Sequence, residues 1–123
     1  MSGKGLKAYK SGYFAEKIAR IFLRLKGYKI LDHNVRMKKG MNACELDVVA
    51  LKNAKIHFIE VKKRTSIDMG AYSITPLMQK RIYKGAMAYL SGHKKAQKYD
   101  AQFDAILISF GKIKHIQNVF YGD

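Results

Sequence analysis

One stretch constrains this chain more than any other: Cys44 to Arg64, where two β-rich runs, Glu45 to Leu51 and Lys55 to Lys62, flank a polar Lys52-Asn53-Ala54. Such a pattern reads as a hairpin. Strand side chains alternate between faces, so Glu45, Asp47, Val49 and Leu51 share one side, as do Ile56, Phe58, Glu60 and Lys62. A two-residue turn at Asn53-Ala54 pairs Lys52 with Lys55, sets Asp47 opposite Glu60, and leaves Glu45 facing Lys62. Two carboxylates placed so repel by about 0.2–1 kcal/mol, and by more when desolvated. A divalent cation with hard oxygen ligands is one compensation, with the Lys62 ammonium holding a water or a developing phosphate charge. A half-solvated sheet edge carrying protective charges is the other. Spacing alone leaves both open.

Charge narrows the partner. The 123 residues hold 24 Lys and Arg against nine Asp and Glu, a formal +15. An excess of this size repels itself in the folded state and is usually matched by a polyanion, most often nucleic acid. Three of the nine acids, Glu45, Asp47 and Glu60, fall in the two central strands, which favours an enzyme over a packing protein. The length suits one domain. A single cysteine, Cys44, excludes an internal disulfide, and no run resembles a signal peptide or a membrane span. A cytoplasmic protein acting without a membrane is the expectation.

Around the hairpin the chain predicts a basic arm over residues 1–9 and a helix from Ser11, as N-cap, to Lys26, stopped by Gly27. Glu16 sits at the border of its apolar arc with Arg20 one turn on, and an exposed pair is the default. Tyr28 to His33 reads as a strand, Asn34 to Asn42 as a polar connection containing Arg36, and Thr65 to Ser73 as a flexible segment. Thr75-Pro76 starts a second helix reaching Leu90, its polar face offering Gln79, Lys80, Arg81 and Lys84. Phe103 to Phe110 and Lys112 to Val119 read as closing strands joined through Gly111. The order is αβββαββ, an α/β layer with a mixed sheet. The histidines His33, His57, His93 and His115 lack zinc spacing with Cys44, and there is no phosphate loop, nucleophile elbow or dinucleotide fingerprint.

Asp47, the triplet Glu60-Val61-Lys62 thirteen residues on, and this element order resemble the PD-(D/E)xK nuclease superfamily. More closely, the chain resembles the small YraN-type predicted nucleases of bacteria. That likeness extends over Gly12 and Glu16, Gly27-Tyr28 to Asn34 and Arg36, Glu45-Leu46-Asp47, Phe58 to Lys62, Phe103-Asp104, and His115-Ile116 with Asn118. The resemblance implies a restriction-endonuclease-like αβββαβ core. It implies that Asp47 and Glu60 bind Mg²⁺ or Mn²⁺, that Lys62 orients the attacking water, and that Glu16 reaches the same site. Arg36, Lys63, Arg64, Gln79 and Lys80 are the candidates for contacting substrate. Cys44 stands where the family usually has Gly, which leaves the role of Glu45 open. The expected activity is a metal-dependent endonuclease on DNA, branched DNA being suggested by likeness to archaeal Holliday junction resolvases, with a homodimer compatible. The alternative is a non-catalytic nucleic-acid-binding module on the same scaffold.

Overall fold

The computed structural model describes residues 3–37, 44–65 and 74–120, with the backbone alone for residues 3–13, 37 and 44. Two helices, α1 (Gly3–Leu25) and α2 (Pro76–Gly92), cover opposite faces of a five-stranded sheet. Its strands, β1 (Lys29–Met37), β2 (Cys44–Lys52), β3 (Lys55–Lys63), β4 (Asp100–Ser109) and β5 (Lys112–Phe120), lie in sequence order. All neighbours are antiparallel except β3 and β4, which run parallel with α2 in the connection. This is the mixed-sheet α/β arrangement of the restriction-endonuclease-like core.

Each layer follows from local sequence. Ala15, Ala19 and Leu23 of α1 recur at helical spacing and bury against Val48, Ala50, Ile59, Val61, Ile106 and Ile108. The helix ends in a Schellman motif: Gly27 takes φ +91°, its N–H donates to the Arg24 carbonyl, and the Tyr28 N–H donates to the Leu23 carbonyl. That closure carries the Tyr28 ring into the core. On the other face Ile82, Ala86 and Tyr89 of α2 meet Val49, Ile56, Phe58, Phe103 and Leu107. Thr75 caps α2 by accepting a bond from the Met78 N–H at 3.2 Å, ahead of Pro76 in the first turn. From Phe103 to Ser109 every residue of β4 is buried, as befits a strand covered on both faces.

Two expectations shift. The backbone is already helical from Gly3, so Ser11 lies inside α1 rather than at its N-cap, and residues 3–9 extend the helix instead of forming an arm. Strand β1 runs to Met37, taking in Asn34 to Arg36, because β2 offers backbone partners as far as Met37 with Cys44. The rest of that connection and the segment 66–73 lie outside the described residues.

Candidate active site

The hairpin register is set at its turn. Asn53 and Ala54 both take left-handed conformations, φ 53° and 61°, giving the primed two-residue turn that matches strand twist. Lys52 pairs with Lys55, and the ladder runs inward to Val48 with Ile59, so the next position sets Asp47 against Glu60. There the strand is diverted. Leu46 packs under α2, whereas Val48 packs under α1, although strict alternation would put them on one face. On β1 the residue facing Asp47 is Asn34, with φ 51°. At this break the Asp47 Oδ2 accepts the Val61 N–H at 2.8 Å.

Asp47 is only 9% exposed, yet its carboxyl lies in hydrogen-bonding contact with both Glu60 and Glu16. Carboxylates accept and do not donate, so such a row holds together without metal only if protons lie between its members. Burial, followed by the charge of Glu60, raises Asp47 from its ordinary 3.8 to about 7, with the Val61 N–H pulling the other way. Glu16 rises to about 7, through burial first and then the charges of Asp47 and Glu45, partly offset by Arg20. Glu60 is also raised by burial, but Lys62, 3.2 Å away, favours its ionised form. The proton of that pair therefore sits on Asp47.

The donor set fits a divalent cation. Oxygen-only, buried and sharing protons, it suits Mg²⁺ or Mn²⁺, which take the place of protons between carboxylates. Among the described residues no three His, Cys, Asp or Glu side chains converge on one metal position. An ion would thus rely on two carboxylates completed by water and substrate oxygens, as Mg²⁺ commonly does.

The other predicted residues separate into groups. Glu45 is exposed and pairs with Arg36 of β1, their side chains 3.9 Å apart, a contact too open to contribute much. Its charge still raises its three acidic neighbours. Lys63 and Arg64 are exposed, Arg64 donating to the Lys63 carbonyl at 2.7 Å. Lys80 is exposed on α2, and the Gln79 amide is half-buried, donating to the Ile74 carbonyl at 3.3 Å. The exposed Glu16–Arg20 pair is overturned, since Glu16 turns to Asp47 and Arg20 is buried.

A second polar centre, absent from the sequence reading as a site, lies on the α1 side of the sheet. Asp104 is 1% exposed, and its Oδ2 meets His57 Nδ1 at 2.7 Å and His115 Nε2 at 2.9 Å. Its Oδ1 accepts from Gln102 Nε2 and the Asn118 N–H, each at 3.0 Å. These bonds hold the carboxyl well below the usual range despite its burial. The Tyr28 ring meets both imidazoles edge-on. Asn118 has φ 54° where the β4–β5 ladder slips, a bulge that aims its N–H at Asp104.

A mixed sheet between two helices, with acids gathered where its central hairpin breaks, defines a nuclease-like α/β scaffold. The profile of "Uncharacterised protein family UPF0102" matches residues 15–108, and the chain belongs to that family, the YraN-type group. The UPF0102 protein bll0669 of Bradyrhizobium diazoefficiens is 38% identical over 108 residues, covering 88% of this chain and 78% of that protein. A UPF0102 protein of Nitrobacter winogradskyi is 36% identical over 114 residues, 92% and 93% of the two chains. The UPF0102 protein amb4503 of Paramagnetospirillum magneticum is 33% identical over 114 residues, 92% and 88%. Among the described residues no helix is long and apolar enough to cross a membrane.

Proposed function

We propose that this protein is a metal-dependent nuclease hydrolysing phosphodiester bonds in DNA, branched DNA being the sharper form of the reading. The observation that carries it is the row of carboxyls Glu16, Asp47 and Glu60, ended by Lys62, on a chain of formal charge +15. Asp47 and Glu60 would hold Mg²⁺ or Mn²⁺. When bound, such an ion supplies Lewis acidity toward a phosphate oxygen and lowers the pKa of water. The Val61 N–H fixes the Asp47 carboxyl, Lys62 balances charge on the Glu60 side, and Glu16, able to hold or release a proton near neutrality, acts from α1. Arg36, Lys63, Arg64 and Lys80 are exposed cations that would meet a phosphate backbone.

One observation favours a non-catalytic nucleic-acid-binding module instead: among the described residues no three such donors converge on one metal position. A panel of duplex, single-stranded and branched DNA and of RNA, with Mg²⁺ and with Mn²⁺, separates the two. Wild type is expected to cut at least one substrate, and Asp47→Ala or Glu60→Ala to cut none while still binding. Binding should survive EDTA and weaken with salt by about 0.9 in log K against log salt for each duplex phosphate neutralised. Failure to cut any substrate, or normal cutting by Asp47→Ala, rules out the nuclease.

A further inference from the structure

Phe110 is 86% exposed, more than any other large apolar side chain among the described residues, and it sits at the tip of the β4–β5 hairpin. Its φ of 34°, with 78° at Gly111, gives the primed two-residue turn whose first position ordinarily holds Asn, Asp or Gly. A bulky residue in that left-handed conformation is strained, and its exposure forgoes the gain of burial. Neither backbone nor ring therefore helps the hairpin fold, and outliers of this kind cluster where ligands are held.

The base of the hairpin is firmly anchored. Ile108 and Ile113 pack beneath α1, the Arg64 N–H donates to the Ile108 carbonyl at 3.1 Å, and Ser109 Oγ donates to the Thr65 carbonyl at 2.9 Å. These contacts hold the turn beside the end of β3, where Arg64 is exposed, with Lys112 exposed just past Gly111. A Cβ added to Gly111 would meet nothing among the described residues within 4 Å, so the tip stands clear. It also stands at the carboxyl-row end of the sheet. Ala105 pairs with Glu60, and Ser109 opens the turn four residues farther along β4, roughly 13 Å at the rise of a strand. An exposed aromatic flanked by cations is the combination that binds single strands, the ring taking a base and the cations the phosphates.

We propose that Phe110 is a stacking platform for an unpaired base of a nucleic-acid strand whose phosphates meet Arg64 and Lys112. The proposal rests on the nucleic-acid part of the functional reading and not on the cutting. A base stacked inside an intact duplex offers the ring no open face, so the substrate narrows to single strands, free ends and branch points.

The test uses Phe110→Asn, which removes the ring and suits the turn, and Phe110→Trp, which keeps an aromatic and gives a chain without tryptophan one fluorescent reporter. Both are compared with wild type by melting, and by anisotropy in EDTA across a salt series with a labelled single strand and a fully paired duplex. Phe110→Asn is expected to melt at or above wild type, to bind the single strand roughly fivefold or more weakly, and to bind the duplex as wild type does. Its slope of log K against log salt should match wild type, because stacking releases no counterion, whereas Arg64→Gln should flatten the single-strand slope by about 0.7. Phe110→Trp should keep its affinity, with emission quenched by the single strand. Unchanged single-strand binding by Phe110→Asn, or an equal loss on both substrates, overturns the platform. Should that variant fail to fold, Phe110→Trp decides: quenching supports the platform and its absence overturns it. Emission that shifts to the blue with phosphatidylcholine–phosphatidylglycerol vesicles and ignores the oligonucleotide makes the ring a membrane anchor and overturns it too. A wild type that binds single strands through Phe110 but cuts nothing with Mg²⁺ or Mn²⁺ removes the nuclease and leaves the platform standing; one that binds no oligonucleotide removes both.

Discussion

Replacing Asp47 by Asn should stabilise the metal-free protein, and metal should take back most of that advantage for wild type. The carboxyl is lifted from 3.8 to about 7. A folded chain that keeps this proton after the unfolded chain has shed it is at full stability below about pH 4 and loses stability until about pH 7. A rise of that size corresponds to about 4 kcal/mol. That value already includes the opposing pull of the Val61 N–H, whose bond the Asn carbonyl can retain. A gain of about 4 kcal/mol at pH 8 in EDTA follows, raising Tm by about 10–15 °C at this chain length. The advantage should vanish toward pH 4, where wild type holds its proton in both states. Mg²⁺ at about 100 times its Kd adds about 2.7 kcal/mol to the protein that binds it, which should remove more than half of that advantage. Melts of both proteins between pH 4 and pH 8, with EDTA and with Mg²⁺, read all of this. An Asn variant destabilised in EDTA at pH 8, or one whose difference from wild type ignores pH, would refute the repelling row.

Lys62→Met should do the opposite without metal, lowering Tm by a few degrees as Glu60 loses its 3.2 Å partner, and should reduce kcat more than metal affinity in a Mg²⁺ titration. Asp104→Asn should cost about 3–5 kcal/mol at neutral pH by urea unfolding, because it breaks a buried ionic network on one side. A depressed native pKa contributes stability above the ordinary value of 3.8 that is lost as pH falls below it, so this variant should also show a flatter acid limb under about pH 4 by circular dichroism. Ala54→Gly should stabilise by about 0.5–1 kcal/mol in the same assay, since φ 61° suits glycine and strains alanine.

What the sequence made legible is what short-range rules decide. A two-residue turn fixes a register by counting, and from Lys52 and Lys55 the count holds as far as Val48 and Ile59, one position short of Asp47 and Glu60. The Thr75-Pro76 start of α2 is likewise local chemistry. Three features escaped because they depend on distant chain. The first turns of α1 contain Gly3, Gly5 and several lysines and carry little apolar signal of their own, yet helix propagates outward from the packed Ala15–Leu23 portion. Arg20 lies only at the margin of the apolar arc, and its burial is set by what packs over it rather than by its own helix. Asp104 finds His57 from 47 positions away. His57 and His115 lack zinc spacing, and the signal that pairs His115 with Asp104 is the resemblance at Phe103-Asp104, His115 and Asn118.

The Asp104 cluster also bears on the order in which the protein is made. The strand carrying Asp104 lies beside β3 at the centre of the sheet, and two of the four donors to its carboxyl, His115 and the Asn118 N–H, come from the last strand. A chain with β4 but not yet β5 would have Asp104 on an edge strand with only half of its donors, and burying that charge would cost several kcal/mol. Sheet closure around Asp104 is therefore coupled to the docking of β5, which brings His115 and Asn118.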